Sequence, residues 1–201
     1  MVKRTAIYML GIVLVSMGIV LCKKCGLGIS PVSSIPFALE EAVPFSFGTL
    51  TMGFHLVNIL IQLFLAGKVK NVRILLQIPV ACLFGQVIDV LQKLIRFDEG
   101  RIVNQGIALA LSVFFTALGM VLMIRMDLVQ NPPDGLVKLI SQKSGRELGQ
   151  IKIMYDIVCV AISAVAGLAL SGKVRGMGIA TVVSAVFVGR TVTWLKERVK
   201  L

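Results

Sequence analysis

Six long apolar runs dominate this sequence and leave few folds open to it. They lie near residues 5–24, 48–66, 74–95, 103–124, 149–171 and 177–197. Each run reaches or approaches the ~20 residues that an α-helix needs to cross a bilayer. Only helices and closed barrels satisfy the backbone in lipid, and barrel strands would alternate in hydrophobicity, which these runs do not. We therefore predict an all-α membrane protein with six transmembrane helices.

Composition and charge agree with this class. Hydrophobic residues make up 57% of the chain and charged residues 15%, whereas a soluble domain carries about 25% charged residues. The net charge of +11 does not indicate nucleic acid binding, because the Lys and Arg residues lie between the apolar runs. Basic loops of this kind anchor helices at anionic lipid surfaces. Membrane lipid is therefore an expected partner, and nucleic acid is not.

Two polar stretches interrupt the apolar pattern between runs one and two and between runs four and five. Each opens at a proline, which suits the first turn of a helix because no hydrogen-bond donor is lost there. We predict short helices near 32–43 and 133–144. The candidate binding residues of the two stretches are Ser30, Pro31, Ser33 and Ser34 in the first and Asn131, Pro132, Asp134 and Gly135 in the second.

The two halves of the chain align when the second is shifted back by 101 positions. Gly119 then falls on Gly18, Pro132 on Pro31, Gly149 on Gly48, Tyr155 on Phe54 and Asp156 on His55; after a short insertion, Gly189 falls on Gly85. We predict two three-helix repeats, residues 1–100 and 101–201, within one integrated membrane domain. Three spans per repeat is an odd number, so the second repeat enters the membrane inverted, as in many secondary transporters.

Loop charges predict the orientation. With six spans, the side that holds both termini carries roughly twice as many Lys and Arg residues as the other side, which the positive-inside rule assigns to the cytoplasm. Lys3 and Arg4 before the first run imitate a signal peptide, but no small-residue cleavage site follows. We expect a retained first helix and both termini in the cytoplasm.

The short helices admit two placements. If they re-enter the membrane from opposite faces, their free N–H groups and positive dipole ends favour an anionic group. Alternatively, each lies flat in the interface as an amphipathic helix. Asp134, two residues after Pro132, either caps its own helix or binds a ligand.

His55 and Asp156 are ionisable residues inside apolar runs. Such residues are expensive in a membrane and usually face a cavity or a partner. The alternatives are a neutral, hydrogen-bonded His55 and a structural ion pair between Asp156 and Lys152, which lie four residues apart on one helix face. We keep His55, Lys152 and Asp156 as candidate substrate-binding residues.

Catalytic and metal-binding signatures are absent from the sequence. It has no P-loop, no G-x-S-x-G elbow and no H-E-x-x-H motif. Cys22 and Cys25 form a C-x-x-C, but no second Cys or His pair completes a metal site. We predict no enzyme activity, no cofactor and no metal.

The polar motifs resemble those of the YczE/YitT-type family of small bacterial membrane proteins. Gly26 to Pro31 is similar to the family's Gly-Leu-Gly-x-Ser-Pro, although Val32-Ser33 replaces the Trp-Asp that usually follows. Pro132 to Leu136 is similar to its Pro-x-Asp-Gly-Leu, and Lys152 with Asp156 matches a basic residue and an acid four apart. The resemblance implies a multi-pass protein of the bacterial cytoplasmic (inner) membrane with a suspected transport role.

Three functions follow as hypotheses. The first is a secondary transporter or facilitator of a small polar or anionic organic solute, with its site between the repeats. The second is the substrate-binding subunit of a multi-component vitamin uptake system, which would copurify with an ATPase partner. The third is a non-transporting membrane accessory protein. A homodimer is compatible with all three.

Overall fold

The computed structural model describes residues 2–67, 72–96, 102–174 and 176–198. These residues form α-helices without any β-strand among them. The helices are α1 (Val2–Lys24), α2 (Ser34–Leu39), α3 (Phe47–Ala66), α4 (Val72–Leu75), α5 (Gln77–Leu94), α6 (Ile102–Met126), α7 (Pro132–Ser144), α8 (Leu148–Ser171) and α9 (Ile179–Arg198), and a single 3-10 turn (Pro31–Ser33) precedes α2.

Six segments of this helical fold are long and apolar enough to cross a membrane. They are α1, α3, α4 with α5 (Val72–Leu94), α6, α8 and α9. Each agrees with a predicted span to within a few residues, so the prediction of an all-α, multi-pass membrane protein is confirmed. The boundary between the two predicted repeats and several of the loop charges, namely Lys68, Lys70, Arg101, Arg175 and Lys200, lie outside the described residues.

The first short helix differs from its prediction. It consists of the Pro31–Ser33 turn and α2, which ends at Leu39 instead of near residue 43. Val43 precedes Pro44, and a residue before proline is disfavoured in the α conformation. The chain therefore leaves the helix as turns before α3 begins. The second short helix, α7, has nearly the predicted bounds.

The pair α1 and α6 forms the centre of the molecule. Glycines let the two backbones approach closely, as is usual between membrane helices. A Cβ atom at Gly119 would lie 2.5 Å from the Gly11 carbonyl oxygen, and one at Gly18 would lie 2.7 Å from the Ser112 carbonyl oxygen. The α5 helix packs beside α1, and α9 packs beside α6.

Each of the two short helices packs against a long helix from the other half of the chain. The α2 helix packs against α8, and α7 packs against α3. Each short helix also contacts the long helix that follows it, so that α2 touches α3 and α7 touches α8. The polar stretches at their N-termini are thereby placed between α3 and α8.

Candidate functional site

The N-terminal end of α7 is buried among polar side chains of α3 and α5. The Gln62 and Gln77 side chains donate to each other at 2.9 and 3.0 Å, and the Gln62 Nε2 also donates to the Pro132 carbonyl at 3.0 Å. A Cβ atom at Gly135 would lie 2.8 Å from the Gln62 Oε1. Glycine at this position therefore lets α7 approach the glutamine pair.

Asn131 and Asp134 stand at the start of the same helix. The Asn131 Nδ2 donates to the Asp134 carboxylate at 3.3 Å, while the Asn131 Oδ1 is buried and has no hydrogen-bond partner among the described residues. The Asp134 carboxylate interacts electrostatically with Tyr155 and Asp156 of α8. Asp134 is thus near the polar residues of α8 as well as at the α7 terminus.

Polar residues of α8 connect this end of α7 to α3. The Tyr155 hydroxyl donates to the Asn58 Oδ1 at 2.8 Å, and the Asn58 Nδ2 donates to the Phe54 carbonyl at 2.7 Å. One turn away, the Lys152 Nζ and an Asp156 carboxylate oxygen are 2.5 Å apart. The ion pair between Lys152 and Asp156 that the sequence analysis gave as an alternative is therefore present. Its lysine side chain is 35% exposed and its aspartate 15%.

The first polar stretch is tied to α8 by hydrogen bonds. Ser34 is fully buried, and its hydroxyl donates to the Pro31 carbonyl at 2.7 Å and to the Cys159 carbonyl at 3.3 Å. The Ser163 hydroxyl donates to the Ser34 carbonyl at 2.9 Å. Ser30 donates to Ser33 at 3.1 Å. These bonds fix the turn against α8.

His55 packs in the interface between α3 and α5. It is 3% exposed, and its ring packs edge-on against Phe84 of α5 with the centroids 5.6 Å apart. The His55 Nδ1 is buried without a partner among the described residues. Of the residues predicted from the sequence, the structure thus gathers those of α7 and α8 and places His55 in the α3–α5 interface.

Several polar contacts were not predicted from the sequence. Polar residues within apolar runs indicate buried polar contacts, and three such residues are Gln62, Asn58 and Tyr155. Their partners could not be predicted, because these lie far away in the sequence.

Asp89 of α5 anchors the start of α3. Its carboxylate accepts hydrogen bonds from the Gly48 N–H at 2.9 Å and from the Ser46 hydroxyl at 2.5 Å.

A separate cleft of about 470 Å³ lies between the end of α1, the α2 helix and the start of α9. Lys23 lines it, 2.6 Å from the Glu40 carboxylate and 4.5 Å from the centre of the Phe47 ring. Cys22 and Cys25 are buried nearby, and neither is in a disulfide in the part of the chain that the structure describes. Within the described ranges, no group of three His, Cys, Asp or Glu side chains is arranged to hold a metal ion.

Residues 2–197 match the family described as "Family of unknown function (DUF6198)". The chain belongs to this family. The match includes every described helix except the last residue of α9. No curated protein and no solved structure matches the chain. The family has no assigned function.

Proposed function

We propose that this protein is a secondary transporter or facilitator of a small polar organic solute, and not an enzyme. Its site lies between two inverted repeats, where α7 meets α3 and α8. The single observation that carries the proposal is the buried N-terminus of α7, where the Pro132 carbonyl accepts a hydrogen bond from Gln62 of α3 and Asp134 lies near Asp156 of α8. Polar residues inside membrane helices are costly and mark solute or ion pathways.

The packing of each short helix against the other half of the chain supports the inverted-repeat arrangement. Under the shift of 101 positions, Ser34 corresponds to Gly135 and Ser163 corresponds to Gln62. Ser34 contacts Ser163, and a Cβ at Gly135 would contact Gln62. The same pair of positions is therefore in contact twice, once from each half, as a two-fold relation between repeats requires.

Burial along α7 supports re-entry over a position flat in the interface. Its N-terminal residues Pro132, Pro133 and Gly135 are buried, whereas its C-terminal residues beyond Ser141 are exposed. Pro132 contacts Gln62, which lies four residues before the end of α3, or about 6 Å along the helix. In this proposal the start of α7 points into the membrane and its end faces water.

The site offers groups of both charges to a solute. Lys152 and the positive dipole end of α7 attract a carboxylate or another anionic group, although Pro132 and Pro133 carry no N–H and leave only the Asp134 N–H unbonded within the helix. Asp134, Asp156 and the Asn131 Oδ1 accept hydrogen bonds from hydroxyl or amino groups. Tyr155 and Asn58 hold α3 and α8 together beside these groups. This combination favours a small organic molecule that carries both donors and acceptors.

Asp134→Asn tests the proposal. Thermal stabilisation of the detergent-purified protein is measured across amino acids, organic acids, vitamins and inorganic ions. A bound solute at ~100 times its dissociation constant stabilises by about 2.7 kcal/mol. We expect a hit that is lost in Asp134→Asn and Asp156→Asn. Uptake of that solute into proteoliposomes should be lost in the same variants.

Asp127→Asn is the matched control. Asp127 is exposed, lies after α6 and has φ +46°, a conformation that asparagine also adopts readily. The control should keep both stabilisation and uptake. If Asp134→Asn retained full uptake, the assigned site would be wrong. Copurification with an ATPase would instead indicate the vitamin-uptake subunit, and a strong protein partner without any solute response would indicate the accessory protein.

A further inference from the structure

The start of α3 packs tightly against α5 in the first half of the chain. A Cβ atom at Gly85 would lie 2.7 Å from the Gly48 carbonyl oxygen, and a Cβ at Gly48 would overlap the Gly85 carbonyl. Asp89 accepts hydrogen bonds from the Gly48 N–H and the Ser46 hydroxyl. The two glycines and this polar contact close the α3–α5 interface.

The corresponding helices of the second half, α8 and α9, lack such an interface in the described structure. Gly149 corresponds to Gly48 and Gly189 to Gly85. At both of these second-half glycines, no atom of another described helix lies within 4 Å of the Cβ position. Glycine destabilises a helix relative to alanine. A close helix–helix contact would explain why glycine occupies these two positions, but neither glycine makes such a contact in this state.

A polar pair accompanies these glycines in the second half as well. Ser46 corresponds to Glu147 with the shift of 101 positions that relates Gly48 to Gly149. Asp89 corresponds to Thr193 with the shift of 104 positions that relates Gly85 to Gly189. The donor and the acceptor have exchanged helices: the hydroxyl is now on α9 and the carboxylate is at the start of α8. The Thr193 hydroxyl donates to the Gly189 carbonyl at 3.1 Å in this state. A hydrogen bond from Thr193 to Glu147 would be the second-half counterpart of the one that Ser46 donates to Asp89.

The open α8–α9 face has a consequence for the site. His55, on the closed side, is covered by α5 and is 3% exposed. Its counterpart Asp156 and the neighbouring Lys152 keep side-chain exposures of 15% and 35%. Packing α9 onto α8 would cover this ion pair as α5 covers His55. The ion pair of the proposed site is therefore the part that the loosely packed α8–α9 face leaves partly exposed.

We propose that α9 docks on α8 in a second state, with Gly149 against Gly189 and Thr193 donating to Glu147. In the same step α3 separates from α5, so that the site closes on the side of the termini and opens on the other. This inference rests on the proposed transport function and identifies its two gates. The occupant of the open face is α9 of the same chain.

Disulfide formation between Glu147→Cys and Thr193→Cys tests this docking in membranes, without any solute. We expect an oxidised, intrachain product. The pair Ser46→Cys and Asp89→Cys shows that the assay detects a closed interface, because these side chains already touch. The mismatched pair Glu147→Cys and Val182→Cys should give no product, since Val182 lies near the opposite end of α9. Single-cysteine variants control for the native thiols.

Substitutions at two glycines should shift the equilibrium between the undocked and the docked positions of α9 in opposite directions. Gly48→Ala pushes α3 away from α5 and should increase the disulfide yield of the Glu147→Cys and Thr193→Cys pair. Gly149→Leu blocks the approach of α9 and should abolish that disulfide. Gly106→Leu is the matched control: Gly106 is also an open helical glycine, but it lies on α6, so the product should persist.

The outcomes separate this inference from the proposed function. A disulfide between two chains would assign the open face to a second copy and overturn the proposal. Absence of the intrachain product in both the wild-type and Gly48→Ala backgrounds would also overturn it. An intrachain product without uptake of any solute would leave the docking correct and the transport function wrong. Uptake without the product would leave transport correct and this gate wrong.

Discussion

At the scale of single residues, Gly135 decides whether α7 fits against its neighbours. A methyl group there would lie 2.8 Å from the Gln62 Oε1 and 3.0 Å from the Gln77 Nε2. Gly135→Ala should therefore push the ends of the two glutamine side chains apart and break their mutual hydrogen bonds. Leaving these buried groups unpaired should lower the free energy of unfolding by about 1–3 kcal/mol. The measurement is the thermal unfolding midpoint in detergent.

Gly53→Ala is the control for this substitution. Gly53 lies within α3, and no atom of another described helix is within 4 Å of its Cβ position. Alanine should be neutral or stabilising there, because it has the higher helix propensity. Equal midpoints for the Gly135 and Gly53 variants would mean that the glutamine pair does not depend on a close approach of α7.

Local features of single residues could be predicted from the sequence, whereas their contacts with distant residues could not. Pro132 as a helix start and Asp156 beside Lys152 could be predicted, because both depend on positions within a few residues. The bond from Tyr155 to Asn58 joins residues 97 positions apart. No local pattern specifies such a pairing, since it depends on how two distant helices face each other.

At the scale of helices, the α1–α6 contact depends on small residues. A Cβ atom at Gly18 would lie 2.8 Å from the Thr116 backbone nitrogen, and a backbone atom cannot move aside as a flexible side chain can. Gly18→Val should cost about 3 kcal/mol or more, at the upper end of overpacking effects. The expected result is a large loss of monodisperse protein in size-exclusion chromatography.

Gly106→Val provides the comparison on the same helix pair. Gly106 is an exposed glycine of α6 with open space at its Cβ position. The same substitution there should change stability by no more than about 0.5 kcal/mol, as for ordinary surface positions. If Gly18→Val behaved like Gly106→Val, α1 and α6 would not be in close backbone contact.

Helix positions were predicted more successfully than helix partners. Hydropathy and length locate the membrane spans because lipid imposes both on the local sequence. Neither quantity says that α2 packs on α8 or that α7 packs on α3. The predicted internal repeat would relate α2 to α7 and α3 to α8, and would restrict these contacts to symmetric pairs. It does not say whether each short helix joins its own half or the other.

At the scale of the whole molecule, the proposed topology fixes which face each short helix approaches. In that topology the turns after α2 would lie on the side opposite the termini, and the end of α7 would lie on the side of the termini. Ala42 and Ser144 are exposed positions in these two segments. Each can carry a reporter cysteine, after Cys82, the native thiol that is not fully buried, is replaced by serine.

A membrane-impermeant maleimide applied to intact bacterial cells should label Ala42→Cys and leave Ser144→Cys unlabelled until the membrane is permeabilised. The physical reason is the excess of Lys and Arg on the side of the termini, which the positive-inside rule assigns to the cytoplasm. The opposite labelling would reverse the orientation while keeping the two short helices on opposite faces. Labelling of both positions in intact cells would place α2 and α7 on the same face. That result would contradict the inverted repeat and, with it, the pairing of Gly149 with Gly189 as a second gate.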